Sequence, residues 1–428
     1  MPLQDLALRS ADALAARFGW LGRPFDAARL IAAASRREPD GRIEDPGLHA
    51  ALDALLGAIA KEADLSLVGR LATGWDMRRF LTNLLRFSAE ERAAPAILKE
   101  EVARPIFVAG LPRSGTTFLH RLLLEDPASR GPLVWETIAP YAPRRGRDRR
   151  IADVAAQLRA FTRLAPEFPA LHPLSATSPQ ECSEISGHVF RSLRFDTTYH
   201  IPSYRGWLDR AGQAEGYRFH KRFLQHLQHQ GRAAGRAAPR WVLKCPDHLF
   251  AIDCIRAVYP DARLVFVHRD PVKVLLSVAR LTEVLRRPFT RHVDPAEIGR
   301  QESARWLEGT RRMSAIGDDA GLPEPVCHIH YLDLVTDPIR TVQGLYRHFG
   351  LDLAAPAEAA MARYIAARPN GGYAPHHYDF ADHGLDAAVE RARFRPYMVQ
   401  FGVQPEQAPY PGQRVARSLP AMANQALR

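Results

Sequence analysis

Three observations predict an α/β fold: a P-loop-like, three-layer core around a central parallel sheet, with an added N-terminal helical region. First, a short apolar run at 106–109 continues into a glycine-bounded loop at 110–115 and then into apolar residues at helical spacing. Second, residues 241–267 read as strand, helix and strand, a unit that joins parallel strands. Third, residues 1–103 carry helical apolar spacing and helix-start signals such as Asp45-Pro46.

The N-terminal helical region, residues 1–103, contains neither a phosphate loop nor a pair of catalytic side chains. Its third helix is predicted from about Leu65 to Phe87, and Ser88-Ala-Glu-Glu91 resembles a capping box that would restart the chain. Two roles are open for this region. It is either a helical cap on the α/β core or a lid that forms one wall of an acceptor site.

The α/β domain is predicted over residues 104–403, with a helical insertion at about 138–240 and a loose tail at 404–428. Within its second unit, the strand 241–244 precedes a helix at about His248 to Tyr259, and the strand 263–267 ends in His268-Arg-Asp-Pro271. Ligand-binding groups gather at the carboxyl ends of parallel strands. We therefore expect the functional side chains at that edge of the sheet.

Composition and charge narrow the class of protein. The chain has 428 residues, of which 46% are hydrophobic and 25% charged, ordinary values for a soluble globular protein. We see no apolar run near the ~20 residues that span a membrane and no signal-peptide order at the N-terminus, so a cytoplasmic location is expected.

The net charge of +11 suits a polyanionic cofactor or an acidic acceptor. Nucleic acid is not an expected partner, because no recognition motif accompanies the charge.

The four cysteines are expected to be reduced thiols in the core. They form no C-x-x-C pair and have no histidine partners at metal-binding spacing. The sequence therefore predicts no metal site.

The loop after the first strand is predicted to bind phosphate. Amides at a helix N-terminus hold an anion with help from the helix dipole. The nucleotide-binding pattern G-x-x-x-x-G-K-[ST] has lysine where this chain has Thr116, and the nearby cation is Arg113 instead. This displacement argues against an ordinary ATP or GTP site.

The segment Pro112-Arg-Ser-Gly-Thr-Thr117 resembles the 5′-phosphosulfate loop of sulfotransferases, which bind 3′-phosphoadenosine 5′-phosphosulfate (PAPS). Arg269, followed eight residues later by Ser277, resembles the 3′-phosphate motif of the same family. A forked guanidinium with a hydroxyl holds a phosphate monoester well. The resemblance covers about residues 104–403 and implies that the 5′-phosphate is held by Pro112, Arg113, Ser114, Gly115, Thr116 and Thr117.

The resemblance also implies the catalytic residues. Arg113 and Lys244 would face the transferring group and the bridging oxygen. Glu136, in a stretch that resembles tyrosylprotein sulfotransferases, would take the proton of the acceptor, and His248 is the alternative base by resemblance to cytosolic small-molecule sulfotransferases. Arg368, in Arg368-Pro-Asn-Gly-Gly372, could approach the 3′-phosphate or the adenine.

The basic run 143–150 is expected to be a solvated loop, with a gate over the cofactor as the alternative.

The implied reaction is transfer of a sulfuryl group from PAPS to an acceptor hydroxyl or amine, without a metal. The acceptor could be a small molecule, a glycan, a lipid or a peptide. Two other functions are weighed against it. A small-molecule or nucleotide kinase would need magnesium and a lysine after Gly115, and a non-catalytic nucleotide-binding protein on the same fold would bind without turnover.

Overall fold

The computed structural model describes residues 12–43, 45–235, 240–368 and 380–406. Its centre is a five-stranded sheet with the order β2-β3-β1-β4-β5, in which all paired strands are parallel. The strands are β1 Ile106–Gly110, β2 Ser129–Arg130, β3 Arg240–Lys244, β4 Arg263–His268 and β5 Cys327–His330. The predicted α/β class with a central parallel sheet is confirmed.

The register of the sheet brings the ends of three strands together. Val108 of β1 lies opposite Lys244 of β3, and Gly110 lies opposite Val267 of β4. The carboxyl ends of β3, β1 and β4 therefore share one edge. The segments that follow these strands carry the sequence-predicted binding residues.

Helices surround the sheet and precede it. In the N-terminal region they are α1 Ala27–Ser35, α2 Pro46–Glu62 and α3 Leu67–Ala93. Between β1 and β3 they are α4 Thr116–Leu123, α5 Val134–Ile138, α6 Arg150–Leu164, α7 Phe168–Leu171, α8 Cys182–Gly187, α9 Arg194–Thr198, α10 Pro202–Ala211 and α11 Ala214–Ala233. After β3 they are α12 Ile252–Val258, α13 Pro271–Arg286, α14 Pro295–Ile316, α15 Tyr331–Thr336, α16 Pro338–His348, α17 Ala355–Ala366 and α18 Ala387–Gln400. Over the described ranges, no helix is both long and apolar enough to cross a membrane.

Each face of the sheet packs into a different core. Alternate residues of a strand point to opposite faces. Phe107 of β1 and Phe266 of β4 belong to the larger core, which also includes the N-terminal helices, whereas Val108 and Val265 belong to a second core with α4 and α16. Helices on both faces make the three layers that the sequence predicts.

Two predicted helix boundaries are wrong. The third N-terminal helix does not restart at Ser88, because α3 continues to Ala93. Glu91 makes no capping box; its carboxylate binds Arg222 and the Nε2 atom of His226 on α11, at 2.6 and 2.8 Å. Tertiary ion pairing therefore uses the residue that looked like a local cap.

The predicted helix from His248 to Tyr259 is divided. A 3₁₀ turn, Pro246–Phe250, comes first, and α12 follows. The turn places His248 among aromatic side chains of the core instead of on a continuous helix.

Candidate active site

The loop between β1 and α4 has the backbone geometry of a phosphate cradle. Gly115 caps α4 with φ +92°, and a Cβ atom there would lie 2.9 Å from Cδ2 of Tyr331. Arg113 also has a positive φ, +63°, which is uncommon for a residue with a side chain. Left-handed residues of this kind turn successive N–H groups toward one point, and the first-turn amides of a helix have no acceptor inside it. The loop therefore fits a phosphate group.

The hydroxyl of Ser114 stabilises the backbone of the loop and is not exposed at its surface. Ser114 is fully buried, and its Oγ atom donates to the Leu111 carbonyl at 2.6 Å. Thr116 is buried and Thr117 half-buried at the start of α4, and Pro112 is buried before the turn. These residues lie where the sequence places them.

Arg113, Ser277 and Arg269 are brought together. The Nε atom of Arg113 donates to Oγ of Ser277 at 2.9 Å, and its Nη1 atom donates to the Leu171 carbonyl at 2.7 Å. Arg269 in turn donates to the Arg113 carbonyl. The residues predicted for the 5′- and 3′-phosphates are therefore in direct contact, across separations of 156 and 164 residues.

Arg269 has two further contacts that the sequence does not predict. Its guanidinium lies 3.8 Å from the ring centroid of Tyr331, the residue that also covers Gly115. Its Nε and Nη2 atoms bind the two carboxylate oxygens of Glu406 at 2.7 and 2.9 Å. A cavity of ≈ 230 Å³ adjoins this pair and is lined by residues 268–270, 330–333, 402–404 and 406.

Lys244 ends β3 and is almost fully buried. Its ammonium group pairs with the carboxylate of Glu181, whose side chain is 28% exposed. Burial acts to raise the pKa of Glu181, but the Lys244 charge, with His172 and His120, outweighs it and holds the pKa below its ordinary value of 4.5. An ionised carboxylate therefore faces the lysine at neutral pH.

His172 is a second residue that the sequence does not indicate. Its neighbours Leu171 and Pro173 accept hydrogen bonds through their carbonyls from Arg113 and Arg121, at 2.7 Å each, so the segment crosses the phosphate loop. Burial lowers the pKa of His172 to about 4, with Lys244, Arg113 and Arg121 acting in the same direction and Glu181 opposing them. The imidazole is neutral at pH 7.

Glu136 lies in the first turn of α5, as expected. Its Oε2 atom accepts the N–H of Leu133 at 2.9 Å, and its Oε1 atom lies 3.6 Å from Nη2 of Arg130. The start of α5 runs beside the segment that leads to Glu181, because the Gln180 N–H donates to the Pro132 carbonyl at 2.8 Å. The role of Glu136 as the base stays a prediction.

His248 is only 1% exposed. The Tyr217 hydroxyl lies 2.6 Å from its Nδ1 atom, and its ring stands edge-on to Phe107. Burial, together with His220, Lys244 and His120, lowers the pKa of His248 well below its ordinary value. The imidazole is neutral and enclosed by aromatic side chains.

Two peripheral predictions lie at the surface. Arg368 is exposed at the end of α17, with its guanidinium 4.2 Å from the ring centroid of Tyr364, and the glycines that follow it lie outside the described residues. In the basic run 143–150, Arg144 pairs with Glu38 at 3.1 Å, and Arg150 packs over Trp135. Whether this run acts as a gate stays a prediction.

Two of the residues that the sequence misses, Glu181 and Glu406, are acidic side chains that reach the site from distant segments. Glu181 precedes a helix and follows Pro179, a pattern typical of an ordinary helix start. Glu406 lies in the segment 404–428, for which the sequence predicts a loose tail. Neither position carries a local signal, because contact with Lys244 or Arg269 depends on tertiary structure.

These features define the class: an α/β protein of the P-loop type in which the loop after β1 carries Arg113 and the neighbouring strand β3 ends in Lys244. Residues 105–355 match the Sulfotransferase family, and the chain belongs to that family.

Comparison with curated proteins finds the omega-hydroxy-beta-dihydromenaquinone-9 sulfotransferase Stf3 of Mycobacterium bovis and of Mycobacterium tuberculosis. Each is 27% identical over a match of 267 residues, and the match covers 58% of this chain. The match spans 63% of the length of these relatives.

Two solved structures cover more of the chain. Sulfotransferase STF9 from Mycobacterium avium is 26% identical with a TM-score of 0.77, and the match covers 89% of this chain and 99% of that one. Sulfotransferase STF1 from Mycobacterium tuberculosis H37Rv is 31% identical with a TM-score of 0.74, over 87% and 99% of the two chains.

Proposed function

We propose that this protein transfers a sulfuryl group from PAPS to a hydroxyl group of a small, lipophilic acceptor. The observation that carries the proposal is the contact between Arg113, Ser277 and Arg269 beside a phosphate loop in which threonine replaces the nucleotide-binding lysine. Two phosphate sites that touch each other suit a nucleotide with both a 5′- and a 3′-phosphate. Membership of the sulfotransferase family supports the same donor.

The residues present fit this donor. The loop amides and Thr116 and Thr117 would hold the 5′-phosphate, while Arg269 and Ser277 would hold the 3′-phosphate. A side chain at Gly115 would collide with Tyr331, so the cradle depends on glycine. When bound, PAPS supplies the sulfuryl group and adenosine 3′,5′-bisphosphate as the leaving group.

Lys244 and Arg113 would balance the charge that grows on the bridging oxygen during transfer. Both are held in place beforehand, Lys244 by Glu181 and Arg113 by Ser277 and the Leu171 carbonyl. Preorganised cations in a site that excludes water stabilise a transition state without reorganisation. This arrangement needs no metal ion to neutralise the transferring group.

We assign to Glu181 the role of the base that takes the proton from the acceptor hydroxyl. It is partly exposed, ionised at neutral pH and in contact with Lys244, so an acceptor hydroxyl that approaches the lysine also approaches a carboxylate. The Glu136 carboxylate already accepts a backbone N–H, and His248 is enclosed by the core. The three variants Glu181→Gln, Glu136→Gln and His248→Gln separate these assignments.

The acceptor class follows from the relatives. The curated relatives are named for a menaquinone derivative with an ω-hydroxyl group, and we extend that chemistry to this chain. An acceptor panel of ω-hydroxylated polyprenyl quinones, tyrosine peptides and glycans tests the extension.

The assay measures transfer of ³⁵S from labelled PAPS in EDTA. We expect label on the hydroxylated quinone, lost with Lys244→Met and retained with Lys221→Met, a half-buried lysine of α11 that binds the Val258 carbonyl. Magnesium-dependent phosphate transfer from ATP would instead indicate the kinase. Tight PAPS binding without transfer to any acceptor would favour the non-catalytic binding protein.

A further inference from the structure

The contact between Glu406 and Arg269 is a strong ion pair at a place where the proposed function needs a free guanidinium. The pair is forked, with Nε and Nη2 of Arg269 on the two carboxylate oxygens of Glu406 at 2.7 and 2.9 Å. The Glu406 side chain is 3% exposed. Two-point pairing of this kind is the geometry by which arginine also binds a phosphate.

The backbone holds Glu406 in this position. The helix α18 ends at Gln400, and Gly402, with φ +63°, turns the chain so that the Val403 N–H caps the Met398 carbonyl at 2.8 Å. The turn directs residues 403–406 back onto the loop after β4. There the Glu406 N–H donates to Oδ2 of Asp270 at 2.9 Å, and Asp270 also caps α13 through the Val272 N–H.

Phe401, which precedes Gly402, connects this turn to the sheet. The ring of Phe401 stacks on His268, the last residue of β4, at 4.5 Å between centroids. The segment 401–406 therefore contacts the short stretch 268–270 at both of its ends, through Phe401 on His268 and Glu406 on Asp270. Both Arg269 and Glu406 line the adjoining cavity.

We propose that Glu406 is an internal competitor for the 3′-phosphate of the nucleotide, and that the segment 401–406 must release Arg269 before the nucleotide binds fully. The inference rests on the proposed function, because it takes Arg269 as the 3′-phosphate residue. A carboxylate and a phosphate dianion on one guanidinium repel each other, so occupation by one opposes the other. A site that is competent only when the segment is released binds its ligand more weakly, in proportion to the fraction of time that it is released.

The first test is the affinity for adenosine 3′,5′-bisphosphate, measured by calorimetry on the full chain. Glu406→Gln keeps the size of the side chain and removes its charge, and we expect it to tighten binding by roughly tenfold or more. Asp382→Asn is the matched control, since it removes one exposed carboxylate of the same C-terminal region, and its affinity should equal that of the wild type. ADP, which lacks the 3′-phosphate, should bind equally to all three proteins.

A double variant shows whether the gain acts through Arg269. In an Arg269→Gln background, the substitution Glu406→Gln should give no tighter binding than Arg269→Gln alone. An equal gain in both backgrounds would overturn the proposal, since it would reflect general electrostatics.

Hydrogen exchange on the wild type avoids any question about folding of the variants. Release of the segment breaks the bond from the Glu406 N–H to Asp270, so the peptide 401–406 should exchange faster when adenosine 3′,5′-bisphosphate is bound. Slower exchange would overturn the proposal.

Failure of the proposed competition by Glu406 and failure of the proposed function give different results. If binding requires the 3′-phosphate but Glu406→Gln is equal to or weaker than the wild type, Glu406 merely positions Arg269 and the competition is refuted. If the wild type and every variant bind the bisphosphate and ADP with equal affinity, the assignment of the 3′-phosphate to Arg269 fails, and the proposed function fails with it.

Discussion

Lys244 and Glu181 are separated by 63 residues in the chain and form an ion pair at the carboxyl edge of the sheet. The lysine is one of five in the sequence, and it is the one placed beside the phosphate loop by the pairing of β1 with β3. The pair gives the site a buried cation with a carboxylate within reach. The proposed mechanism depends on both partners.

Replacing Lys244 tests the role of the cation. Lys244→Met removes the charge that would stabilise the leaving phosphate, so kcat should fall by about 10²-fold or more while the affinity for adenosine 3′,5′-bisphosphate changes much less. Single-turnover transfer and calorimetry measure the two quantities. A loss confined to affinity would assign Lys244 to binding instead.

The proton acceptor can be identified from the pH profile. The pKa of Glu181 is held below 4.5, so its carboxylate stays ionised as the pH falls through the neutral range. We expect kcat/KM to show no acidic limb above about pH 5, and Glu181→Gln to lower kcat at every pH. An acidic limb near pH 6 to 7 would indicate a histidine, and full activity of Glu181→Gln with loss in Glu136→Gln would assign the base to Glu136.

Ser277 links the two proposed phosphate sites, and its replacement should affect both. Ser277→Ala removes the acceptor of the Arg113 Nε–H and a proposed 3′-phosphate ligand, so the affinity for the bisphosphate should fall roughly tenfold or more. Ser277→Thr keeps the hydroxyl and should retain most of the affinity. Equal losses in both variants would indicate that the space beside Arg113, and not the hydroxyl, matters.

The phosphate cradle should not tolerate a side chain at Gly115. Its φ of +92° and the 2.9 Å approach to Tyr331 make Gly115→Ala strained, so nucleotide binding should be lost or reduced by at least about tenfold. Gly57→Ala, in the middle of α2 with no atom within 4 Å of the added methyl group, should stabilise the protein by about 1 kcal/mol. Normal binding by Gly115→Ala would contradict the described loop.

Stability against acid should depend on Glu283 of α13. Burial acts to raise its pKa, but hydrogen bonds from His383 and Arg280, with the charge of Arg287, lower it to about 2. A lowered carboxyl pKa adds stability above the unfolded value of about 4.5, and that stability is lost as the pH falls toward 2. With solvent screening, we expect Glu283→Gln to destabilise the protein by about 2 kcal/mol at pH 7 and by somewhat less than half of that at pH 3. A difference in urea midpoint that is the same at both pH values would refute this linkage.

The parts of the site that the sequence predicts are those encoded locally. The phosphate loop, the Arg269 position and the parallel strands follow from short stretches in which spacing and glycine placement determine the backbone. Glu181 and Glu406 could not be predicted, because they reach their partners across 63 and 137 residues. Glu91 shows the converse error, since a local capping pattern was overridden by tertiary pairing with Arg222 and His226.

Calorimetric titration of adenosine 3′,5′-bisphosphate in EDTA, beside ADP and beside ATP with magnesium, tests the central claim most directly. The account predicts that the bisphosphate binds without a metal, that its affinity exceeds that of ADP by about tenfold or more, and that Arg269→Gln removes this difference. Equal binding of the bisphosphate and ADP, or a preference for ATP with magnesium, would contradict it.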